Sequence, residues 1–296
     1  MKKLMEDYHT THNIYTVNDS KYLVRILKEP LLIRQNEVIV HSAAADKFIA
    51  PKIYHHQHTK EFSLIIMDFI PESTLSLEQA KDYYTIDFIA RKVKSIQELD
   101  LNFTLRTRNL FTVIIENYEK IKNKNLIIDP IFEEILDKVK IIYQKFENNA
   151  RPLVISHNDL HPRNIFFTGT DVIIIDWEMV GFNDQFYDLA VYSLCACLNE
   201  KDDFYLLKQY LQKDPCSDDM QHFNIVKLLA RVTYVFSTFE FLNHIPEVLS
   251  VESFNNFEYY ENIFAQDSTA NSSELLLALG VSQLQLFLEE YKSFKI

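Results

Sequence analysis

Short runs of β-branched and aromatic residues alternate with turn residues through the first 70 positions. A polar turn at residues 18–20 separates IYTV from KYLVRI, a pattern typical of a β-hairpin. Leu31 to Phe48 has an Ala-rich centre without Gly or Pro, and it predicts a helix that ends before Pro51. A second turn, at residues 58–60, separates KIYHHQ from FSLIIMDFI. The pattern predicts four strands around one helix.

Helical periodicity dominates after residue 71, with one interruption. Residues 76–99 and 110–122 predict long helices, residues 153–176 are strand-rich, and the chain after Asp184 is mostly helical again. We therefore predict an α+β protein. A small β-rich N-terminal lobe, residues 1–70, would be joined through a hinge near Asp68 to Glu72 to a large, mostly helical lobe, residues 71–296.

Composition narrows the class of protein. Hydrophobic residues make up 47% and charged residues 24%, an ordinary balance for a globular protein. The longest clean apolar run, Leu275 to Val281, is far shorter than the roughly 18 residues that span a bilayer. The start, MKKLMEDYHT, lacks the apolar stretch of a secretory signal, and three cysteines do not make a disulfide framework. We predict a cytoplasmic protein without a membrane span.

The charge is strongly acidic and unevenly distributed. A net charge of −12 argues against a nucleic-acid partner, which is bound through clustered Lys and Arg. Residues 178–296 hold 18 acidic and 7 basic residues, whereas residues 1–177 hold 24 and 23. The acidic half would attract a cationic small molecule, or it is a solvated surface that keeps the protein soluble; charge alone favours the second interpretation. No feature of the sequence predicts an oligomeric state.

The residues that carry chemistry lie in SHNDLHPRNIFFTGTDVIIIDWE, residues 156–178. Asp159 precedes Asn164 by five positions, and Asp176 follows twelve positions later. A hairpin turn around Gly169 would bring Asn164 and Asp176 together, and their oxygens suit Mg²⁺. Asp159, on the loop before the first strand, would accept a hydrogen bond from an attacking hydroxyl, as in phosphoryl-transfer enzymes.

The alternative is a hairpin with polar turn residues and no chemistry. It is disfavoured because Asp176 closes an all-apolar strand, where a charge is costly unless it is paired or metal-bound. The three glycines of the chain form neither a G-x-G-x-x-G motif nor a Walker A loop. A nucleotide site must therefore be built in another way.

Three segments, HNDLHPRN, IIDWE and GFNDQFYDLA, resemble the choline/ethanolamine kinase family, which has an aminoglycoside-phosphotransferase-like, protein-kinase-like fold. The segment THNIYTV is similar to the nucleotide loop of that family, with His12 where Asn is usual. The resemblance runs from about Thr11 to about Leu189. It implies an ATP-dependent kinase that uses Mg²⁺, with Asp159 as the catalytic residue and Asn164 and Asp176 as metal ligands.

The resemblance also implies residues for the nucleotide and the acceptor. Arg25 would steady the phosphates and Glu37 would orient Arg25, while adenine would meet backbone groups from Asp68 to Ile70. From the residues alone, Arg25 is equally well an exposed edge-strand residue, and Glu37 is better explained as a solvated helix residue. Trp177 and Glu178 would face the acceptor, where acidic and aromatic side chains hold a cationic amine. A structural salt bridge is the alternative for Glu178.

The predicted function is ATP-dependent O-phosphorylation of a small cationic alcohol such as choline or ethanolamine. Two departures from the family pattern leave rivals open. The nucleotide loop has no glycine, which motivates the alternative of a degenerate kinase that binds nucleotide or a partner without catalysis. The intact Asp159, Asn164 and Asp176 argue against that alternative. No Trp follows Trp177, whereas choline kinases commonly cover the quaternary ammonium with tryptophans, so thiamine or an aminoglycoside is an alternative acceptor.

Overall fold

The chain folds into two compact units. The computed structural model describes residues 2–6, 10–101, 105–124, 128–242, 244–246, 248–249, 257–266 and 273–294. The first unit contains Met1–Arg106 and Val154–Phe182, and the second contains Thr107–Leu153 and Asn183–Ile296.

An antiparallel five-stranded sheet forms the N-terminal part of the first unit. Its strands are β1 (Lys2–Glu6), β2 (Thr10–Val17), β3 (Ser20–Leu27), β4 (Ile53–His58) and β5 (Ser63–Asp68), in the spatial order β1-β2-β3-β5-β4. The predicted hairpin is present between β2 and β3. Asn18 and Asp19 both have positive φ, 48° and 64°, as a tight two-residue turn requires. The sequence prediction missed β1, an edge strand whose Lys-rich composition hides its β-character.

Helix α1 (Leu31–Asp46) follows β3, as predicted, and ends two residues before the predicted boundary. Its Val38 packs in a core with Leu27, Ile65 and Met67 from the sheet. The buried guanidinium of Arg34 donates to the Glu29 backbone carbonyl at 2.6 Å and to Ser63 Oγ at 2.9 Å. Helix α1 is thus fixed to the sheet at its first turn and along one face.

The predicted helix over residues 76–99 is two helices, α2 (Leu77–Lys81) and α3 (Tyr83–Gln97). Asp82 between them is extended, and its carboxylate accepts a hydrogen bond from the Tyr84 amide at 2.8 Å. A short polar side chain that caps the following helix interrupts the first one. Periodicity alone does not reveal this break.

The strand-rich segment forms two small sheets. Strands β6 (Leu153–Ser156) and β9 (Gly181–Asp184) pair with each other, and β7 (Ile165–Phe167) pairs with β8 (Val172–Ile174) in the predicted hairpin. Gly169 in that turn has φ +87°, a conformation that favours glycine.

The first unit extends beyond the predicted lobe boundary at residue 70. The Leu75 amide donates to the Ile165 carbonyl, and the Ile174 amide donates to the Ile49 carbonyl, both at 2.8 Å. These bonds tie the later hairpin to the N-terminal part. The boundaries of the two units do not coincide with the predicted lobe boundary at residue 70. That lobe boundary stays a prediction.

Seven helices make up most of the described part of the second unit: α4 (Leu110–Lys124), α5 (Ile131–Asn148), α6 (Tyr187–Cys195), α7 (Glu200–Leu211), α8 (Ser217–Glu240), α9 (Phe257–Gln266) and α10 (Ser273–Ser293). Helix α8 is central and packs against α4, α5, α6 and α10. Its Phe236 and Phe239 are fully buried and contact Phe132 of α5. Across the described residues, no helix combines the length and apolar character that a bilayer crossing requires.

Candidate active site

A buried ion pair joins the sheet to helix α1. Arg25 Nη1 of β3 donates to Glu37 Oε1 of α1 at 2.7 Å, and the two side chains are 8% and 1% exposed. The pairing of Arg25 with Glu37 that the family resemblance implied is therefore present. The guanidinium also lies near the hairpin, because Arg25 Nη2 is 3.6 Å from Asp176 Oδ1.

Burial sets the charge states of this pair. Burial raises the pKa of Glu37 to about 7, although the Arg25 cation opposes the shift. The pKa of Arg25 rises above its ordinary value despite its own burial, because Glu37, Asp176 and Glu178 surround it with negative charge. Arg25 is thus a permanent cation among carboxylates.

Asp159 and Asn164 are joined directly. Asn164 ends a 3₁₀ turn, Pro162–Asn164, and its Nδ2 donates to the Asp159 carbonyl at 3.0 Å and to Asp159 Oδ2 at 3.1 Å. The Asn164 carbonyl accepts from the Ile175 amide at 2.9 Å, one residue before Asp176. The hairpin therefore brings together Asp159, Asn164 and Asp176, as the sequence predicted.

The Asp159 carboxylate is accessible and ionised. Its side chain is 39% exposed, whereas the Asn164 residue is 6% exposed. Burial of part of the group would raise its pKa, but His161, with Nε2 at 3.5 Å, and then His157 and Arg163 hold the pKa of Asp159 well below its usual range. The group is an acceptor of hydrogen bonds at every physiological pH.

His157 and Asn158 hold the loop that carries Asp159. His157 Nε2 donates to the Ile175 carbonyl at 2.9 Å, and its Nδ1 accepts from the Asp159 amide at 3.3 Å. Asn158 is buried with φ +68°, and its Nδ2 contacts the carbonyls of Ser156, Met179 and Gly181 at 3.0, 3.1 and 3.4 Å. These bonds join the Asp159 loop to the segments on both sides of Trp177.

Trp177 is a packing residue. Its side chain is 0% exposed, its Nε1 donates to the Ile174 carbonyl at 3.2 Å, and its ring lies 4.8 Å from that of His157 and 6.5 Å from that of His41. The predicted contact between Trp177 and an acceptor is not borne out, because the buried indole presents no surface to a ligand. Burial lowers the pKa of His41 to about 4, so its ring packs here uncharged.

Asp176 and Glu178 lie at the start of this turn. Asp176 has φ +66°, an uncommon conformation for a residue other than glycine, and its carboxylate is 37% exposed. Burial, followed by the charges of Asp176 and Glu37, raises the pKa of Glu178 to about 8. The Glu178 carboxyl group is therefore largely uncharged at neutral pH.

A cavity of about 200 Å³ in the first unit collects four of the predicted site residues, Arg25, Asp68, Ile70 and Asp176. The rest of its lining is mostly apolar and includes Leu23, Met67, Phe166 and Ile175, with His12 and His41 as further polar groups. A larger cavity, about 380 Å³, lies among α6, α8, α9 and α10 of the second unit, and no predicted site residue lines it. The smaller cavity is the candidate site because it contains the predicted chemistry.

Sequence reasoning gave no role to His12, His41, Asn158 or His161. The register of the β2–β3 hairpin places His12 directly opposite Arg25, and His41 lies one helical turn after Glu37. Both relations could have been read from the predicted elements. Asn158 and His161 lie inside HNDLHPRN, but nothing in the residue types indicated their hydrogen bonds.

The chain is similar in sequence to known proteins. A family model described as choline/ethanolamine kinase matches residues 4–224. Protein LicA of Haemophilus influenzae is 25% identical over 143 residues, 47% of this chain and 40% of that protein. The chain thus matches less than half the length of that relative.

Two solved structures share the fold. Choline kinase LicA from Streptococcus pneumoniae superposes with a TM-score of 0.70 at 16% identity, covering 99% of this chain and 95% of that one. An ethanolamine kinase from Plasmodium vivax superposes with a TM-score of 0.68 at 16% identity, covering 97% and 81%. The predicted α+β, protein-kinase-like fold is confirmed.

The hydrogen bonds of Asn158 can be tested without straining its backbone. Asn158→Gly keeps the positive φ but removes the carboxamide, so we expect the unfolding free energy to fall by about 1–3 kcal/mol in urea titrations. Asn18→Gly, at the exposed positive-φ turn of the first hairpin, is the matched control and should change stability by less than about 0.5 kcal/mol. Equal stability of the two variants would show that the Asn158 side chain does not hold the loop.

Proposed function

Because this chain belongs to the choline/ethanolamine kinase family, we propose that it transfers the γ-phosphoryl group of ATP to a hydroxyl group of a small molecule. The observation that carries the proposal is the joining of three elements in the first unit. Direct contacts link three features: the Arg25–Glu37 pair, the apolar cavity at the end of β5, and the hairpin with Asp159, Asn164 and Asp176.

ATP would occupy the cavity of about 200 Å³. Backbone groups from Asp68 to Ile70 would meet the edge of adenine, and Leu23, Met67 and Ile175 offer apolar surface to its faces. Arg25, which also lines the cavity, carries a fixed positive charge for the phosphates. A planar guanidinium suits this task because it binds phosphate oxygens with several donors at once.

Asn164 and Asp176 fit a Mg²⁺ site. The Asn164 amide nitrogen is committed to Asp159, which leaves its side-chain oxygen as the ligand, and the Asp176 carboxylate is partly exposed. Within the described part of the chain, no group of three or more His, Cys, Asp or Glu residues forms a metal site. That agrees with an ion held by one carboxylate, one amide and the phosphates of the substrate. When bound, Mg²⁺ neutralises the charge that develops on the β- and γ-phosphate oxygens.

Asp159 would orient the acceptor. Its ionised, exposed carboxylate accepts a hydrogen bond from the attacking hydroxyl and takes the proton as the new O–P bond forms and the bond to the departing ADP oxygen breaks. Since its pKa is low, Asp159 acts mainly through orientation. The Asn164 contact fixes the carboxylate beside the proposed metal site.

The acceptor would be a small cationic alcohol of the choline or ethanolamine class. The relatives named choline kinase and ethanolamine kinase support this class. The excess of acidic residues in positions 178–296 would attract such a cation. Glu178, two residues after Asp176, would add a negative charge above its pKa of about 8.

The metal proposal predicts that nucleotide binding depends on Mg²⁺. Thermal stabilisation by ATP should be clearly larger with Mg²⁺ than with EDTA, because Asn164 and Asp176 bind the phosphates only through the ion. The same titration with Asp176→Asn should lose most of the difference. An identical shift in both buffers, or no shift at all, would refute the metal site and favour a degenerate kinase.

Asp159→Asn separates chemistry from binding. The substitution retains an acceptor for the Asn164 amide but removes the carboxylate, so turnover should fall by about 10²–10⁴-fold in a coupled ADP-release assay while ATP binding barely changes. Asp171→Asn, an ion-paired carboxylate on the turn of the same hairpin, is the matched control and should keep turnover near the wild-type value. Near-normal turnover of Asp159→Asn would mean that another group orients the acceptor.

The acceptor class is tested with choline, whose positive charge is independent of pH. In a panel with ethanolamine, thiamine, aminoglycosides and sugars, a cationic alcohol should be the best substrate, and its KM should rise with salt. Glu178→Gln should raise the KM for choline more at pH 8.5 than at pH 6.5, because the pKa of Glu178 near 8 leaves the wild-type group uncharged below that pH. Preference for a neutral sugar, with a KM independent of salt, would exclude the cationic class and leave the kinase proposal intact.

A further inference from the structure

His12 and Arg25 are direct neighbours across the first hairpin. They face each other in the antiparallel register of β2 and β3, so their side chains lie on the same side of the sheet. Arg25 Nε donates to His12 Nε2 at 3.2 Å. Both residues line the cavity of about 200 Å³ that also contains Asp176.

The contact with His12 gives the Arg25 guanidinium a partner at each of its three nitrogens. Nε meets His12, Nη1 meets Glu37 at 2.7 Å, and Nη2 lies 3.6 Å from Asp176. Because the guanidinium is planar and rigid, holding Nε and Nη1 determines where Nη2 points. Without His12, only Glu37 and the longer contact to Asp176 would orient the group.

The direction of the bond fixes the state of the imidazole. The nitrogen that accepts from Arg25 must carry a lone pair, so the ring proton of His12 is on Nδ1 and the ring is neutral in this contact. His12 therefore orients the cation without adding a second positive charge beside it. An amide oxygen could accept the same bond, whereas a phenyl ring could not.

We propose that His12 is a positioning residue for the nucleotide phosphates, holding Arg25 so that its Nη2 points toward the Asp176 side of the cavity. The inference rests on the proposed function, because it assumes that the cavity binds a nucleoside triphosphate. The tight turn of this hairpin is formed by Asn18 and Asp19 without glycine. Side chains, rather than a glycine-rich backbone, would hold the phosphates in place.

The loss of nucleotide affinity on removing the His12 acceptor should grow with the number of phosphates. For His12→Phe, which keeps an aromatic ring but has no acceptor, we expect Mg·ATP to bind about tenfold more weakly. AMP should lose less affinity than Mg·ATP, because it presents a single phosphate to Arg25. His12→Gln restores an acceptor and should recover most of the affinity for Mg·ATP. Calorimetric titration of wild type and both variants with AMP, ADP and ATP measures these affinities.

A double-mutant cycle distinguishes positioning from packing. Arg25→Lys keeps the charge but lacks the Nε–H, so adding His12→Phe to it should weaken ATP binding no further. Additive losses would show that His12 acts through packing of its ring. His55→Phe, on the exposed edge strand β4 and outside the cavity lining, is the control and should bind every nucleotide as wild type does.

The outcomes separate the inference from the function on which it rests. If wild type shows affinity that increases from AMP to ATP but His12→Phe matches it, or loses AMP and ATP equally while remaining folded by thermal unfolding, the positioning role is wrong and the kinase proposal stands. If wild type binds no nucleotide in the presence of Mg²⁺, both are overturned.

Discussion

The burial of one positive charge constrains the rest of the site. Arg25 lies in a strand, almost without solvent contact, and a cation in that place is tolerable only among groups that hold it. Glu37 from helix α1 is the principal partner, and removing one member of such a pair typically costs about 3–5 kcal/mol. Val38 and Arg34 fix the position of α1 against the sheet. Because α1 holds Arg25 through Glu37, the position of this helix determines where the positive charge lies in the cavity.

A second layer of packing connects this pair to the loop that carries Asp159. His41 follows Glu37 by one helical turn and approaches Trp177, which in turn packs against His157. His157 is hydrogen-bonded to both Ile175 and the Asp159 amide. A shift of α1 would disturb Trp177 directly, so the placement of the cation and that of the Asp159 carboxylate are coupled through contiguous contacts.

Much of this arrangement could be predicted from the sequence, because the determining signals are local. The turn at Asn18 and Asp19 set the hairpin register, and the spacing of Asp159, Asn164 and Asp176 around a tight hairpin predicted their proximity, which the structure contains. What could not be predicted depends on burial. The family resemblance suggested that Trp177 binds the acceptor, yet its indole is fully enclosed. The helix break at Asp82 was missed because hydrophobic periodicity does not reveal a capping side chain. The edge strand β1 was missed because its polar residues do not show a β pattern.

The scarcity of glycine has a thermodynamic consequence. Among the described residues, seven non-glycine residues and one glycine have positive φ, and Asn18, Asn158 and Asp176 are among the seven. A side chain narrows the conformations open to the unfolded chain, so these turns lose less backbone entropy on folding than glycine turns would. The same restriction applies to the folded protein before ligand binding. Loops that have few accessible conformations lose little conformational entropy when a nucleotide binds. A site built this way trades the adaptability of a glycine-rich loop for a cavity whose shape is set before binding.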